Sequence, residues 1–202
     1  PAAGRLRQDA AMPSAFQPVD LAHASRLINH GPTVMVSSAH GGQRNIMSAA
    51  WSMPVEFSPP RLAIVIDKHT HTHQLLMASG QLAVIVPGRA LAPLVHAVGQ
   101  VSGRDEDKFA THDLQPLAGP VLGLPVLEQG VAAWLECRLI PEPHTQAAYD
   151  TCFVEVVSAA ADPRVFAQGR WSFRDDNADL HTLHYLGGVQ FTAVGTAFDE
   201  IG

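Results

Sequence analysis

The residues best suited to chemistry lie in the stretch NIMSAAWSMPVEFSPP, residues 45–60. In an extended conformation Asn45, Met47, Ala49, Trp51 and Met53 face one way, and Ile46, Ser48, Ala50 and Ser52 face the other. The second face is small and hydroxylated, so a flat ligand lying on it reaches backbone amides and carbonyls as well as serines. The same alternation suits a half-buried strand with its serines turned to water, and the pattern alone leaves both readings open.

A second stretch, DKHTHTHQLL at residues 67–76, joins the end of a strand to the start of a helix. Thr70 and Thr72 are candidate caps of that helix, and Lys68 precedes it. A helix N-terminus with unpaired amides, a hydroxyl and a nearby cation suits a phosphate monoester; an ordinary N-cap is the simpler reading. His69, His71 and His73 would share a face on a strand and could hold a metal there. The helix start breaks that alternation and the only adjacent carboxylate is Asp67, so no metal site is expected. In SGRDEDKF, residues 102–109, Arg104 and Lys108 stand among three carboxylates, a pattern usual for a solvated face. His181 and His184 are spaced to meet on one helix face, where surface or core roles suffice. The sequence has no GxSxG, HExxH or CxxC, and no GxGxxG follows a strand, so the signatures of hydrolases, zinc proteases, thioredoxin-like proteins and Rossmann domains are missing.

The elements that must position these residues follow from periodicity and breakers. Asp20 caps a short helix in DLAHASRLINHG, which Gly31 ends. PTVMVSSA, NIMSAAWSMPVEF and RLAIVIDK read as three successive strands of an antiparallel meander. HTHQLLMASG is a helix ended by Gly80, and QLAVIVPG is a strand. LAPLVHAVG and DEDKFATH read as helices, the latter with Asp105 and Glu106 in its first turn. VAAWLECRLI and DTCFVEVVSAA are two further strands, and HTLHYLGGVQFTAVG reads as a short helix, a glycine turn and a last strand. At least six strands with short helices between them, lacking the regular alternation of a parallel sheet, predict a barrel of mainly β class.

Composition sets outer limits. With 202 residues, 47% of them apolar, the chain can bury one core without disulfides or metal, so one domain is expected over residues 20–202, preceded by a mobile arm at 1–19. A formal net charge of −6, without clustered Lys and Arg, argues against nucleic acid as partner. Cys137 and Cys152 lie in apolar strands, which points to buried free thiols and, with no apolar run long enough to span a bilayer, to a cytoplasmic protein.

In order and spacing, NIMSAAW with PVEFSPP, then KHTHTHQLLMASGQLAVIVP, SGRDEDKF, WLEC and YLGGVQFTAVG resemble the flavin reductase-like family, the FMN-binding split barrel, and particularly its flavoredoxin-like branch. The resemblance runs from about residue 32 to about 195. It implies a six-stranded antiparallel Greek-key split barrel with added helices, a homodimer, and one FMN per subunit near the dimer interface, with FAD the alternative flavin. In this family the N-x-M-[TS]-x-[AS]-W strand contacts the flavin, which maps onto Asn45, Met47, Ser48, Ala49, Ala50 and Trp51. Thr72 and Lys68 map to positions near the phosphate, and Lys108 to a position at the cofactor or substrate mouth. Where the family commonly has P-V-S-F-D-P-P, this chain carries Glu56 and Ser58; a carboxylate facing the flavin would lower its reduction potential. The implied activity is NAD(P)H-dependent flavin reduction with electrons passed to a second acceptor, a reaction that needs no catalytic side chain because the cofactor carries the chemistry. The alternative is a flavoredoxin-like electron carrier, reduced by a protein partner and lacking a nicotinamide site.

Overall fold

Runs of β-branched and aliphatic residues make strands here, and nearly all of them join one sheet. In a computed structural model of the chain, residues 15–198 are described; 41% of the chain is strand against 24% helix, so the protein is mainly β. The long strands are β1 (Val34–His40), β2 (Gln43–Ala49), β3 (Ser52–Phe57), β4 (Pro60–Val65), β5 (Gln81–Pro87), β6 (Val131–Ile140) and β7 (Thr151–Ala161), followed by a separate hairpin of β8 (Leu183–Gly187) and β9 (Gln190–Ala193). The seven-strand path is antiparallel throughout, in the order β2-β1-β5-β6-β7-β4-β3.

The order explains the barrel. β2 and β3 occupy opposite ends of the path, yet only Ala50 and Trp51 join them. Such a link spans at most roughly 10 Å, so the sheet must roll until its two edges meet along a seam. Crossing that seam divides NIMSAAWSMPVEF into two strands, which is why the path has seven long strands where six were expected.

Both faces of the central strands β1, β5 and β6 are covered over most of their length, so these strands are nearly continuously apolar. One core contains Val34, Val36, Leu62, Ile64, Leu82, Val84 and Leu135, while a second contains the alternate residues Met35, Ile46, Ile85 and Trp134. Helix α2 (Ala92–Gln100) adds Val95 and Val98 to the second core, and Phe109 of the short α3 (Lys108–Thr111) joins them.

Helix α1 (His71–Ser79) is capped by Thr70, whose hydroxyl accepts from the His73 amide, and ends at Gly80 with φ 68°. Asp107 caps α3, accepting from the Phe109 and Ala110 amides, so Asp105 and Glu106 precede that helix and do not form its first turn. The tail also departs from expectation: HTLHYL is not helical, because Leu183 pairs with Ala193 and His184 with Thr192 across the Gly188–Val189 turn. His181 and His184 therefore share no helix face. Phe16 is buried and Gln17–Pro18 pairs with β7, so the arm expected to be mobile up to residue 19 is docked from Phe16 onward; residues 1–14 lie outside the described residues. Cys137 and Cys152 are buried free thiols, and burial pushes Cys152 up to about 11.

Candidate functional site

The site grows from the free edge of β2. Ile46 turns its carbonyl away from β1, and the Lys108 ammonium donates to it at 3.0 Å and to the Val98 carbonyl at 2.6 Å. By the two-residue period of a strand, the backbone groups of Ser48 point to the same edge. Lys108 is only 3% exposed, and burial holds its pKa below the usual lysine range, partly offset by Glu106. Its observed partners are backbone carbonyls, which makes it a clamp joining α2, α3 and β2.

Residues 99–104 run beside that edge, and two glycines allow the approach. A Cβ on Gly99 would collide with the Ser48 hydroxyl, and one on Gly103 with the Asn45 side-chain oxygen. Asn45, buried, donates through its amide nitrogen to the Thr72 hydroxyl at 2.9 Å, tying β2 to the first turn of α1. Ser48 and Ala50 open into a cavity of about 220 Å³ shared with α2 and the β8–β9 hairpin. Met47 and Ala49 turn the other way, into the barrel core. Trp51 lies on the outer face and is 74% exposed.

The other end of the edge meets the start of α1. Thr70 takes up the His73 and Gln74 amides, and by helix geometry the amides of His71 and Thr72 have no partner within the helix. The Arg104 guanidinium lies across this turn, donating to the His69 carbonyl at 2.7 Å and to the Gln74 side chain at 3.5 Å. His71 is buried, and its Nδ1 has no hydrogen-bond partner. Lys68 points elsewhere: its ammonium is 3.3 Å from Asp150 and donates to the Ala147 carbonyl at the end of α4 (Pro143–Tyr149). His73 sits among these charges, and burial holds its pKa below the usual histidine value despite Asp150 and Asp67. Among the described residues no group of three His, Cys, Asp or Glu could hold a metal.

The structure thus brings Asn45 to Thr72 and sets Ser48 and Ala50 on one cavity, while Lys68, Trp51 and Lys108 each stand in a different setting. Glu56 is exposed near the far end of β3, accepting from the Phe57 amide, beyond a bulge between Pro54 and Glu56 that upsets simple alternation.

The model of the flavin reductase-like domain matches residues 25–185 of this chain. The chain belongs to the flavin reductase-like family. It is 54% identical to the protein YddH of Escherichia coli K12 over 184 residues, covering 90% of this chain and 96% of that one. The crystal structure of an FMN-binding domain of a flavin reductases-like enzyme from Shewanella baltica OS155 superposes with a TM-score of 0.87 at 42% identity, covering 91% of this chain and 96% of that one. A flavoredoxin of Desulfovibrio vulgaris (Miyazaki F) shares the fold at 24% identity, with a TM-score of 0.70 over 85% of this chain and 90% of that one.

For this member of the flavin reductase-like family, sequence reading did not single out Arg104 as a partner of α1, nor His96, Gln100 and Tyr185 as neighbours of Ser48. Arg104 carried one signal, its place beside a glycine in a polar loop. The other three carried none, since only the crossing of α2 and the hairpin over β2 brings them to the cavity.

Proposed function

We propose that the protein binds FMN along the free edge of β2 and acts as an NAD(P)H-dependent flavin reductase. The observation that carries this reading is the edge itself. Small residues and outward backbone groups at Ser48 and Ala50 suit the flat ring system, and the distance from Asn45 to Ala50, about 16 Å in a strand, suits an FMN laid lengthwise with its ribityl chain extended between ring and phosphate. At the far end, the His71 and Thr72 amides, the α1 dipole and Arg104 suit the phosphate, with the buried His71 ring beside them. Close identity to the FMN-binding Shewanella baltica domain supports the same cofactor. When bound, FMN supplies two-electron chemistry, and the chain's residues supply placement and a water-poor wall.

We assign the outer face of β3 to a second copy of the chain. Met53, Ala63, Phe153 and Ile140 line up across β3, β4, β7 and β6, and Trp51, Met53 and Phe57 are 74%, 58% and 71% exposed. Residues paired directly across an antiparallel ladder share a face, so this is one apolar surface. It begins at Trp51, next to the proposed ring site, which suits a homodimer with its cofactors near the interface. No helix among the described residues is long and apolar enough to cross a membrane, and the buried free thiols suit the cytoplasm.

Two measurements test the cofactor and the activity separately. Titration with FMN and with FAD should show tight uptake of FMN; protein that takes up neither refutes the site. Anaerobic NADH or NADPH should then bleach the visible flavin absorbance. Unbleached but bound FMN would favour the electron-carrier function.

A further inference from the structure

We propose that the outer face of β3, β4, β7 and β6 meets a second copy of the chain about a two-fold axis parallel to the strands and midway between β4 and β7, in a register set by a row of four alternating charges. This rests on the assignment of that face to a second copy and adds its orientation.

The row follows from strand register. Glu56 on β3 pairs with Arg61 on β4, Arg61 with Glu155 on β7, and Glu155 with Arg138 on β6. Residues paired directly across a ladder share a face, so the signs run minus, plus, minus, plus over four neighbouring strands. At a strand spacing of about 4.8 Å the row is about 14 Å long. The apolar row of Met53, Ala63, Phe153 and Ile140 runs beside it on the same face.

These charges are not used up within the chain. The Arg61 and Glu155 side chains are 44% and 39% exposed; their ion pair, at 3.6 Å, is too long for a hydrogen bond, and Arg61 Nε has no other partner. Glu56 and Arg138 are exposed and form no ion pair among the described residues. The row sums to zero in a chain of formal net charge −6, so this face meets its own copy without net repulsion.

Symmetry selects one arrangement. In a two-fold pair the same patch faces itself. An axis along the charged row would set every charge against its own kind, and an axis between the rows would set charges against apolar side chains. An axis parallel to the strands reverses the row. Centred on β4 or on β7, it opposes two arginines or two glutamates. Centred between them, it places Arg61 against Glu155 of the partner subunit and Glu56 against Arg138 of the partner subunit, and the same pairs reciprocally, with no like charges opposed. The apolar row fits the same axis: small Ala63 faces Phe153 of the partner subunit, and Met53 faces Ile140 of the partner subunit. Because the barrel is convex, the columns of β4 and β7 come closest, so Arg61 and Glu155 dominate. A row that is its own complement has a second copy as its partner.

Sedimentation of the full chain and its charge variants tests this. Wild type should be a dimer. Arg61→Glu and Glu155→Arg each create two like-charge contacts with the partner subunit, which should raise the dissociation constant about a hundredfold or more. Mixed one to one, these two variants should form a heterodimer, because each then meets opposite charges at both positions. The doubly substituted chain, Arg61→Glu with Glu155→Arg, restores the pair within the chain and should dimerise with itself but not with wild type. Single variants that stay dimeric, a mixture that stays monomeric, or a double variant that stays monomeric overturns the orientation. Met53→Lys separates this from the reading beneath it: a dimer broken by Met53→Lys and indifferent to the charge variants keeps the face and loses the axis. A monomeric wild type, or a dimer that survives Met53→Lys, removes the face itself.

Discussion

The two edges of the rolled sheet are consecutive in the chain and opposite in character. Along β2 the edge is dressed: Lys108 caps the Ile46 carbonyl, residues 99–104 approach through Gly99 and Gly103, and Asn45 is fixed to Thr72. Along β3, Trp51, Met53 and Phe57 are left bare on the outer face. A dressed edge suits a small ligand, because fixed polar groups and narrow walls set its orientation. A flat bare one suits a macromolecular surface, since only a large partner removes that much apolar area from water. On the proposed function the single stretch 43–57 would supply both a ligand edge and an assembly edge, with Trp51 where they meet.

Charge placed on the bare edge should have the largest effect. Met53→Lys buries an unpaired ammonium if a second copy covers this face, a cost of about 3–5 kcal/mol, and should turn a dimer into a monomer in analytical ultracentrifugation. A wild-type chain that sediments as a monomer would break the contrast between the edges.

Lys108→Met probes the dressed edge without touching the bare one. It leaves the Ile46 and Val98 carbonyls without their donor, and each buried unsatisfied group costs about 1–3 kcal/mol, offset by no longer burying a charge. A net loss of about 3 kcal/mol would lower Tm by about 6–12 °C in a domain this size. Because the ammonium meets only backbone, FMN affinity should change less than threefold. A large loss of FMN with little loss of stability would return Lys108 to the ligand mouth.

Arg104 and Lys68 sharpen the phosphate end. A charge-assisted hydrogen bond to phosphate contributes about 1.5–3 kcal/mol, so Arg104→Ala should weaken FMN binding by about ten- to a hundredfold in a fluorescence titration. Lys68→Ala, which removes a partner of Asp150 and Ala147, should weaken it less than threefold. The reverse order would move the phosphate toward α4.

The smallest effect concerns the hairpin that walls the cavity. His30 is bonded to the Thr182 hydroxyl at 2.7 Å and packs edge-on against Trp171 and His184; burial, reinforced by His184, lowers its pKa to about 4. The unfolded chain takes up this proton near pH 6.5 and the folded one only near 4. Stability is therefore fully present above about 6.5 and declines as pH falls from there to 4. Chemical denaturation across that window should show this slope, and His30→Phe should flatten it.

Several local features are legible in the amino-acid sequence. The strand at 45–49, the helix from 71 to Gly80 and the buried thiols follow from alternation, capping and composition. The role of Lys68 is not legible there: whether a cation at a strand–helix junction faces a ligand or a carboxylate depends on where residue 150 arrives from another strand. The β8 strand escapes sequence reading because HTLHYL carries no clear period, and its pairing with β9 supplies the hydrogen bonds that decide it.

Family, mainly β class and a small-faced strand over residues 45–49 are written in the sequence, because apolar period, breakers and ordered motifs are local properties. Tertiary structure was needed to decide that this strand is an edge, that Arg104 rather than Lys68 lies across the α1 turn, and that α2 and the hairpin enclose a cavity over Ser48. Those are consequences of rolling the sheet, which brings residues far apart in sequence to one seam.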